Sequence, residues 1–164
     1  MAELTVLDEK LAEVLGLAQA AQQATKKVAT LARKENEGDL VDMLIEMGDD
    51  ARTVEERCQQ VANSRDGVKS AITKKALETK SEVLAFMKTY LRDAEALDGL
   101  EFLSMAEAGE LAHWKILEKL NKKARNAAID EAIRIALPLQ EKHVQRVAAA
   151  SLKLAADEDP DEPA

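Results

Sequence analysis

Hydrophobic residues recur along this chain at alternating steps of three and four, which is the spacing of one face of an α-helix. The pattern predicts long helices over about residues 5–34, 40–62 and 127–156, and another that ends near residue 120. A less regular helical segment covers 68–91. The loop after the first helix is short, which makes the first two helices antiparallel neighbours. We predict an all-α, antiparallel four-helix bundle with an additional crossover helix.

The boundary between the third and fourth helical segments has two interpretations. The Asp98-Gly99 pair favours a bend over 92–97, and Asp93 or Asp98 could cap the helix that follows. The alternative is one continuous helix over 83–120. Asp39 is the predicted N-cap of the second helix, and Thr79 is the point where the 68–91 segment could be interrupted.

Composition supports a single helical domain. The chain has 164 residues, of which 46% are hydrophobic and only 2% aromatic, with 6 Gly and 3 Pro. Such usage is typical of a chain that is almost entirely helical. We predict one domain over 1–156 and a disordered acidic tail over 157–164. The single cysteine rules out an intrachain disulfide and agrees with a reducing, cytoplasmic location.

The net charge of −8 argues against nucleic acid as a partner, since an acidic surface repels phosphate. No apolar stretch approaches the length needed to cross a bilayer. The first residues also lack the basic and apolar regions of a signal peptide. We therefore expect a cytoplasmic protein with neither a nucleic-acid nor a membrane partner.

Two histidines and a glutamate fall on hydrophobic stripes. Glu110 and His113 lie three residues apart on a stripe that also contains Leu103, Ala106, Leu117 and Leu120. His143 lies on the stripe of the last helix. A buried Glu or His is costly unless a partner pairs with it or a ligand binds it. These three residues are therefore the first candidates for a functional site.

One interpretation is a mononuclear metal site. Glu110, His113 and His143 would bind iron, manganese or zinc, with Glu107 or Glu141 in support, because carboxylate and imidazole suit these metals. The other is a buried polar network, in which Glu110 pairs with His113, His143 or the indole of Trp114 and fixes the register of the helices.

No catalytic motif accompanies these residues. The sequence has no Gly-rich phosphate loop and no nucleophile elbow. We assign no catalytic residue, and the sequence leaves open whether the protein is an enzyme while favouring a non-enzymatic role.

Two stretches resemble the ferritin-like family, most closely its small stress-associated bacterial members. They are EAGELAHW over 107–114 and QEKH over 140–143. The family offers Glu-x-x-Glu or Glu-x-x-His followed by an aromatic residue in the first stretch and Glu-x-x-His in the second. The resemblance implies a ferritin-like bundle, association with iron and a link to stress.

Departures from the family pattern limit what the resemblance implies. The family's di-iron centre takes further ligands from the first two helices. Here the first hairpin has no His, and the only carboxylates nearby, Glu46 and Asp50, lie off the stripe of the second helix. The corresponding stripe positions are small or apolar; they are Ala18, Ala21, Met47 and Ala51. We expect an incomplete di-metal site: either a mononuclear site or a bundle without metal.

Two classes of function follow from these observations. The first is a ferritin-like protein, metal-associated and stress-linked. The alternative is a non-enzymatic helical scaffold, or an oligomerising or protein-binding module, with a buried Glu/His network. Ferritin-like chains often dimerise, and Val6, Leu15 and Ile45 lie off the main stripes where a homodimer surface could form. The sequence identifies no partner protein.

Overall fold

The computed structural model describes residues 3–161, and this part of the chain is helical throughout, without strands. It contains five helices: α1 (Val6–Lys34), α2 (Gly38–Asn63), α3 (Lys69–Tyr90), α4 (Ala96–Ala124) and α5 (Ala127–Asp157). The prediction of an all-α protein is therefore confirmed. The predicted helices agree with these bounds to within a few residues.

Four helices form a closed ring, and the fifth lies outside it. α1 packs against α2 and α4, and α5 packs against the same two helices. α3 packs mainly against α1. Arg65, in the loop after α2, binds Asp8 at the start of α1, while Glu35 at the end of α1 accepts a hydrogen bond from the backbone N–H of Ala96. The α3 helix therefore runs from one end of the ring to the other, and each ring helix is antiparallel to both neighbours.

The hydrophobic core consists of two clusters, one towards each end of the ring. One cluster contains Trp114 and Ile129, and the other contains Phe102 and Val147. Because α4 and α5 each contribute to both clusters, the stretches between those contributions lie at mid-height. Those stretches carry the buried polar side chains, which are Glu107, Glu110, Gln140 and His143. The middle of the bundle is thus a polar layer between two apolar ones.

Local signals explain most helix ends. Thr5 is the N-cap of α1, and its hydroxyl accepts a hydrogen bond from the backbone N–H of Asp8. The Asp8 carboxylate in turn accepts one from the backbone N–H of Thr5. Asn36 adopts the left-handed conformation, with φ 62°, between α1 and α2. The N-cap of α2 is Glu37, without a side-chain hydrogen bond. The prediction that Asp39 would be this cap is wrong, because the helix begins one residue before it.

The bend predicted between the third and fourth helices is confirmed, and the continuous helix over 83–120 is wrong. α3 ends at Tyr90, and α4 begins at Ala96. The N-cap of α4 is Glu95, so the prediction that Asp93 or Asp98 would be the cap is wrong. Asp98 lies three residues after the cap, and its carboxylate accepts a hydrogen bond from the backbone N–H of Glu95 at 2.8 Å, which stabilises the start of α4. α3 itself is not interrupted at Thr79.

Two glycines allow helices to approach closely. A side chain at Gly16 on α1 would collide with the backbone of α3 at Ala76. A Cβ on Gly99 of α4 would lie 2.7 Å from Cγ1 of Val28 on α1. These glycines place both α3 and α4 against α1, which sets the width of the space between α3 and α4.

The chain carries no membrane-spanning candidate within residues 3–161, since no helix there combines the necessary length and apolar character. α5 continues through Pro138 to Asp157. The predicted tail starts where α5 ends, and its last residues, 162–164, lie outside the described part of the chain.

Candidate functional site

His143 lies in the middle of the bundle between two carboxylates. Its Nε2 is 3.0 Å from Oδ2 of Asp50 on α2, and its Nδ1 is 3.4 Å from Oε2 of Glu107 on α4. Gln140, one turn earlier on α5, donates from Nε2 to the Glu107 carboxylate and to the Glu107 backbone carbonyl. We name Asp50, Glu107, Gln140 and His143 the His143 network. It joins three helices of the ring.

The surroundings of His143 favour its protonated form. Burial by itself lowers the pKa of His143, but the carboxylate of Glu107, and then that of Asp50, outweigh burial and raise the pKa above its ordinary value of 6.5. Only 4% of His143 and 2% of Glu107 is exposed. In the protonated form that this shift favours, the imidazolium has a carboxylate at each nitrogen, which is the arrangement that makes a buried charge tolerable.

Glu110 is buried without a cationic partner. Burial, together with the nearby Glu107 carboxylate, raises the pKa of Glu110 well above its ordinary value of 4.5. The indole of Trp114 is close enough to oppose this rise in pKa. Its Nε1 nevertheless makes no hydrogen bond of ordinary geometry. The raised pKa of Glu110 thus favours its neutral, protonated form beside the His143 network.

His113 lies apart from this group, at the surface between α4 and α1. Its Nδ1 is 3.0 Å from Oε2 of Glu13 and 3.4 Å from Nζ of Lys10. The side chain is 35% exposed. Burial raises the pKa of Glu13, but Lys10 and His113 together lower it below 4.5. His113 therefore belongs to a half-exposed ion-pair cluster and not to the bundle interior.

The buried stripe of α4 is displaced by about one residue from the predicted one. It contains Leu103, Glu107, Glu110, Trp114, Leu117 and Asn121. The predicted stripe had Ala106, His113 and Leu120 in place of Glu107, Trp114 and Asn121. Both stripes alternate steps of three and four, so spacing alone could not separate them. Burial of the large indole in place of an imidazole removes more apolar surface from water, which favours the observed rotation.

The remaining predicted residue, Glu141, lies at the surface, where Oε1 is 3.9 Å from Nζ of Lys115. Sequence reasoning missed Asp50, which was placed off the stripe of α2. The available signal was its position three residues after Met47, a buried stripe residue. Of the five predicted residues, the structure brings together Glu107, Glu110 and His143, and it separates His113 and Glu141 from them.

The described part of the chain holds no preformed metal site. Within residues 3–161, no three His, Cys, Asp or Glu side chains are arranged to hold a metal ion. A protonated imidazole has no lone pair on either nitrogen, so His143 would have to be deprotonated to bind a metal. Its two nitrogens are also each occupied by a carboxylate.

Comparisons with models of protein families, with curated proteins and with solved structures give no match. Inference about function therefore depends on the geometry of the chain itself. That geometry has two parts, a satisfied ion-pair network around His143 and an unpaired carboxyl at Glu110.

Proposed function

We propose that this protein is a non-enzymatic helical-bundle module, a scaffold or protein-binding domain, whose His143 network fixes how the helices pack. The observation that carries the proposal is the pairing of both imidazole nitrogens of His143 with carboxylates from α2 and α4. A catalytic base must reach a substrate, whereas His143 and Glu107 are almost completely buried. Buried polar groups of this kind specify register in helical bundles.

We also propose that the bundle has ferritin-like topology. The support is its connectivity: a ring of four helices, each antiparallel to its neighbours, with α3 joining opposite ends of the ring. Since fold does not determine function, this topology supports no activity by itself. An experimental structure that gives the hand of the α3 connection tests this proposal.

Metal association is the second candidate. It is favoured by the convergence of Asp50, Glu107 and His143 from three helices, with Glu110 one turn away. It requires that His143 lose its proton and exchange a carboxylate partner for the metal. It would couple metal binding to folding, because a metal that binds only the folded state stabilises it.

Elemental analysis of protein purified without an affinity tag separates the two candidates. We expect neither iron, manganese nor zinc near one atom per chain, and no change in melting temperature on adding a chelator. The His143→Leu and Glu107→Gln variants serve as matched samples. Near-stoichiometric metal in the unaltered protein that disappears in both variants would contradict the scaffold proposal and support the metal site.

A further inference from the structure

A groove opens between α3 and α4, with α1 as its floor. Its cavity volume is about 310 Å³, at the lower end of the range for small-molecule sites. The floor is formed by Leu17, Ala21 and Ala24, and the small side chains of the two alanines let the groove reach the interior of the ring. Most of the wall is apolar. The groove exists because α3 and α4 both pack on α1 but barely on each other.

Glu110 provides the polar end of this groove. It lines the groove together with Glu107, although it is only 5% exposed. Since Glu107 is engaged by His143 and Gln140, Glu110 is the carboxyl that has no ionic partner. An apolar cleft that ends at one unpaired, buried carboxyl suits an amphiphilic ligand, which has an apolar chain and one polar head group.

The charge of the lining selects the head group of such a ligand. Three acidic residues, Glu82, Glu107 and Glu110, line the groove with His113, and neither Lys nor Arg does. A fatty acid would therefore find no Lys or Arg there to pair with its carboxylate. An ammonium group meets the opposite charge, and its transfer from water is compensated by a charge-assisted hydrogen bond.

Aromatic side chains at one end of the groove favour the same ligand. Phe86 and Phe102 line the groove, and their ring centroids are 5.8 Å apart. Tyr90 packs against both rings. The chain has only four aromatic residues, so three of them gather at this end. Phe86 remains 53% exposed, so part of its ring is open to the apolar part of a ligand.

We infer that the groove between α1, α3 and α4 binds a small amphiphilic ammonium compound, with the alkyl chain along the groove and the ammonium at Glu110. On binding, the neutral Glu110 carboxyl releases its proton to solvent and the resulting carboxylate pairs with the ammonium. Charge is conserved, because one proton leaves for each cation that enters. His143 does not contact the ligand in this site, so the inference can be tested independently of the proposal that the His143 network fixes packing.

Titration calorimetry with n-hexylammonium chloride tests the site, with hexanoate and hexanol as probes of equal chain length. We expect saturable binding of one hexylammonium per chain, and binding of the other two probes weaker by about tenfold or more. Repeating the titration in buffers of different ionisation enthalpy measures the proton released. Other ionisable side chains lie near the groove and Glu110, and Glu110→Gln separates the proton of Glu110 from any of theirs; they are Glu13 on α1, Cys58 on α2, Glu82 on α3, Glu107 and His113 on α4, and His143 on α5.

Variants identify the carboxyl responsible. Glu110→Gln keeps the side-chain shape, and we expect it to weaken hexylammonium binding by about tenfold or more and to abolish the proton release. Glu118→Gln removes the same charge from α4 outside the groove, and we expect it to bind like the unaltered protein. Ala106→Phe fills the groove and should prevent binding even if Glu110→Gln folds poorly. Equal binding of hexanol and hexylammonium, unchanged binding by Glu110→Gln, or no saturable binding would overturn the inference.

Discussion

The two histidines of this chain occupy equivalent places in the hydrophobic pattern but different places in the molecule. His143 is buried between Asp50 and Glu107 in the middle of the ring. His113 is half-exposed beside Glu13, at the edge where α4 meets α1. The same residue type is therefore a structural cation in one region and a member of a surface ion pair in the other. The comparison shows that the face a helix turns to its neighbours decides what a polar residue does, and that spacing in the sequence does not by itself identify this face.

The largest effect should come from removing the buried histidine. His143→Leu leaves Glu107 and Asp50 without their cation, and we expect it to lower the free energy of unfolding by about 3–5 kcal/mol. Urea denaturation measures the change. The double variant Glu107→Leu/His143→Leu removes a charge of each sign, and we expect it to recover part of the loss. A single variant as stable as the unaltered protein would show that the network contributes nothing to packing.

The pH dependence of stability should also distinguish the two histidines. Because the folded-state pKa of His143 lies above its unfolded value of 6.5, the folded protein binds this proton more tightly than the unfolded chain does. The stabilisation is therefore complete below pH 6.5, and it is lost as pH rises through the raised pKa. We expect the free energy of unfolding to fall with rising pH in this range, and His143→Leu to flatten that fall.

Glu110 should also make the free energy of unfolding fall with rising pH, starting at lower pH, because its folded-state pKa is raised from 4.5. Its contribution is complete below pH 4.5 and is lost as pH rises. The effect of His143→Leu on the pH dependence of stability should therefore be measured in a Glu110→Gln background, where Glu110 no longer contributes to that dependence. A pH profile unaffected by His143→Leu in that background would mean that folding does not raise the pKa of His143.

The smallest effect should come from the exposed histidine. We expect His113→Ala to change the free energy of unfolding by less than about 1 kcal/mol, because exposed ion pairs contribute little. The difference should shrink further in high salt, which screens such pairs. Urea denaturation at low and high salt is the measurement. If His113→Ala lowered the free energy of unfolding as much as His143→Leu, the two histidines would contribute equally to stability and the distinction between them would be wrong.

The sequence predicted the helices well because their hydrophobic stripes are long and regular. The buried stripe of α2 agrees residue by residue with the predicted one, which ran from Leu40 to Val61. The stripe of α5 differs mainly at mid-height, where Gln140 is buried in place of Leu139. The prediction that Leu15 lies on a dimer surface is wrong, since it is completely buried, whereas Val6 and Ile45 are exposed as expected. The homodimer itself stays a prediction.

The candidate site was harder to predict, because its composition depends on a rotation of α4 by less than a third of a turn. Two stripes of equal regularity competed, and one placed His113 inside while the other placed Trp114 inside. The choice depends on how much surface each side chain buries against neighbours far away in sequence. The pairing of Asp50 with His143 could not be predicted for the same reason, because it joins residues 93 positions apart in the sequence.

The separation of those partners has a consequence for the order of folding. Asp50 and His143 are 93 positions apart, and Glu13 and His113 are 100 positions apart. The α1–α2 and α4–α5 hairpins, in contrast, form from segments adjacent in the chain, and such local contacts form first. We therefore expect the ring to close when the two hairpins meet along their length. His143, Asp50 and Glu107 would lose their hydration water only at that step, so their pairing would follow the docking of the hairpins and would not initiate it.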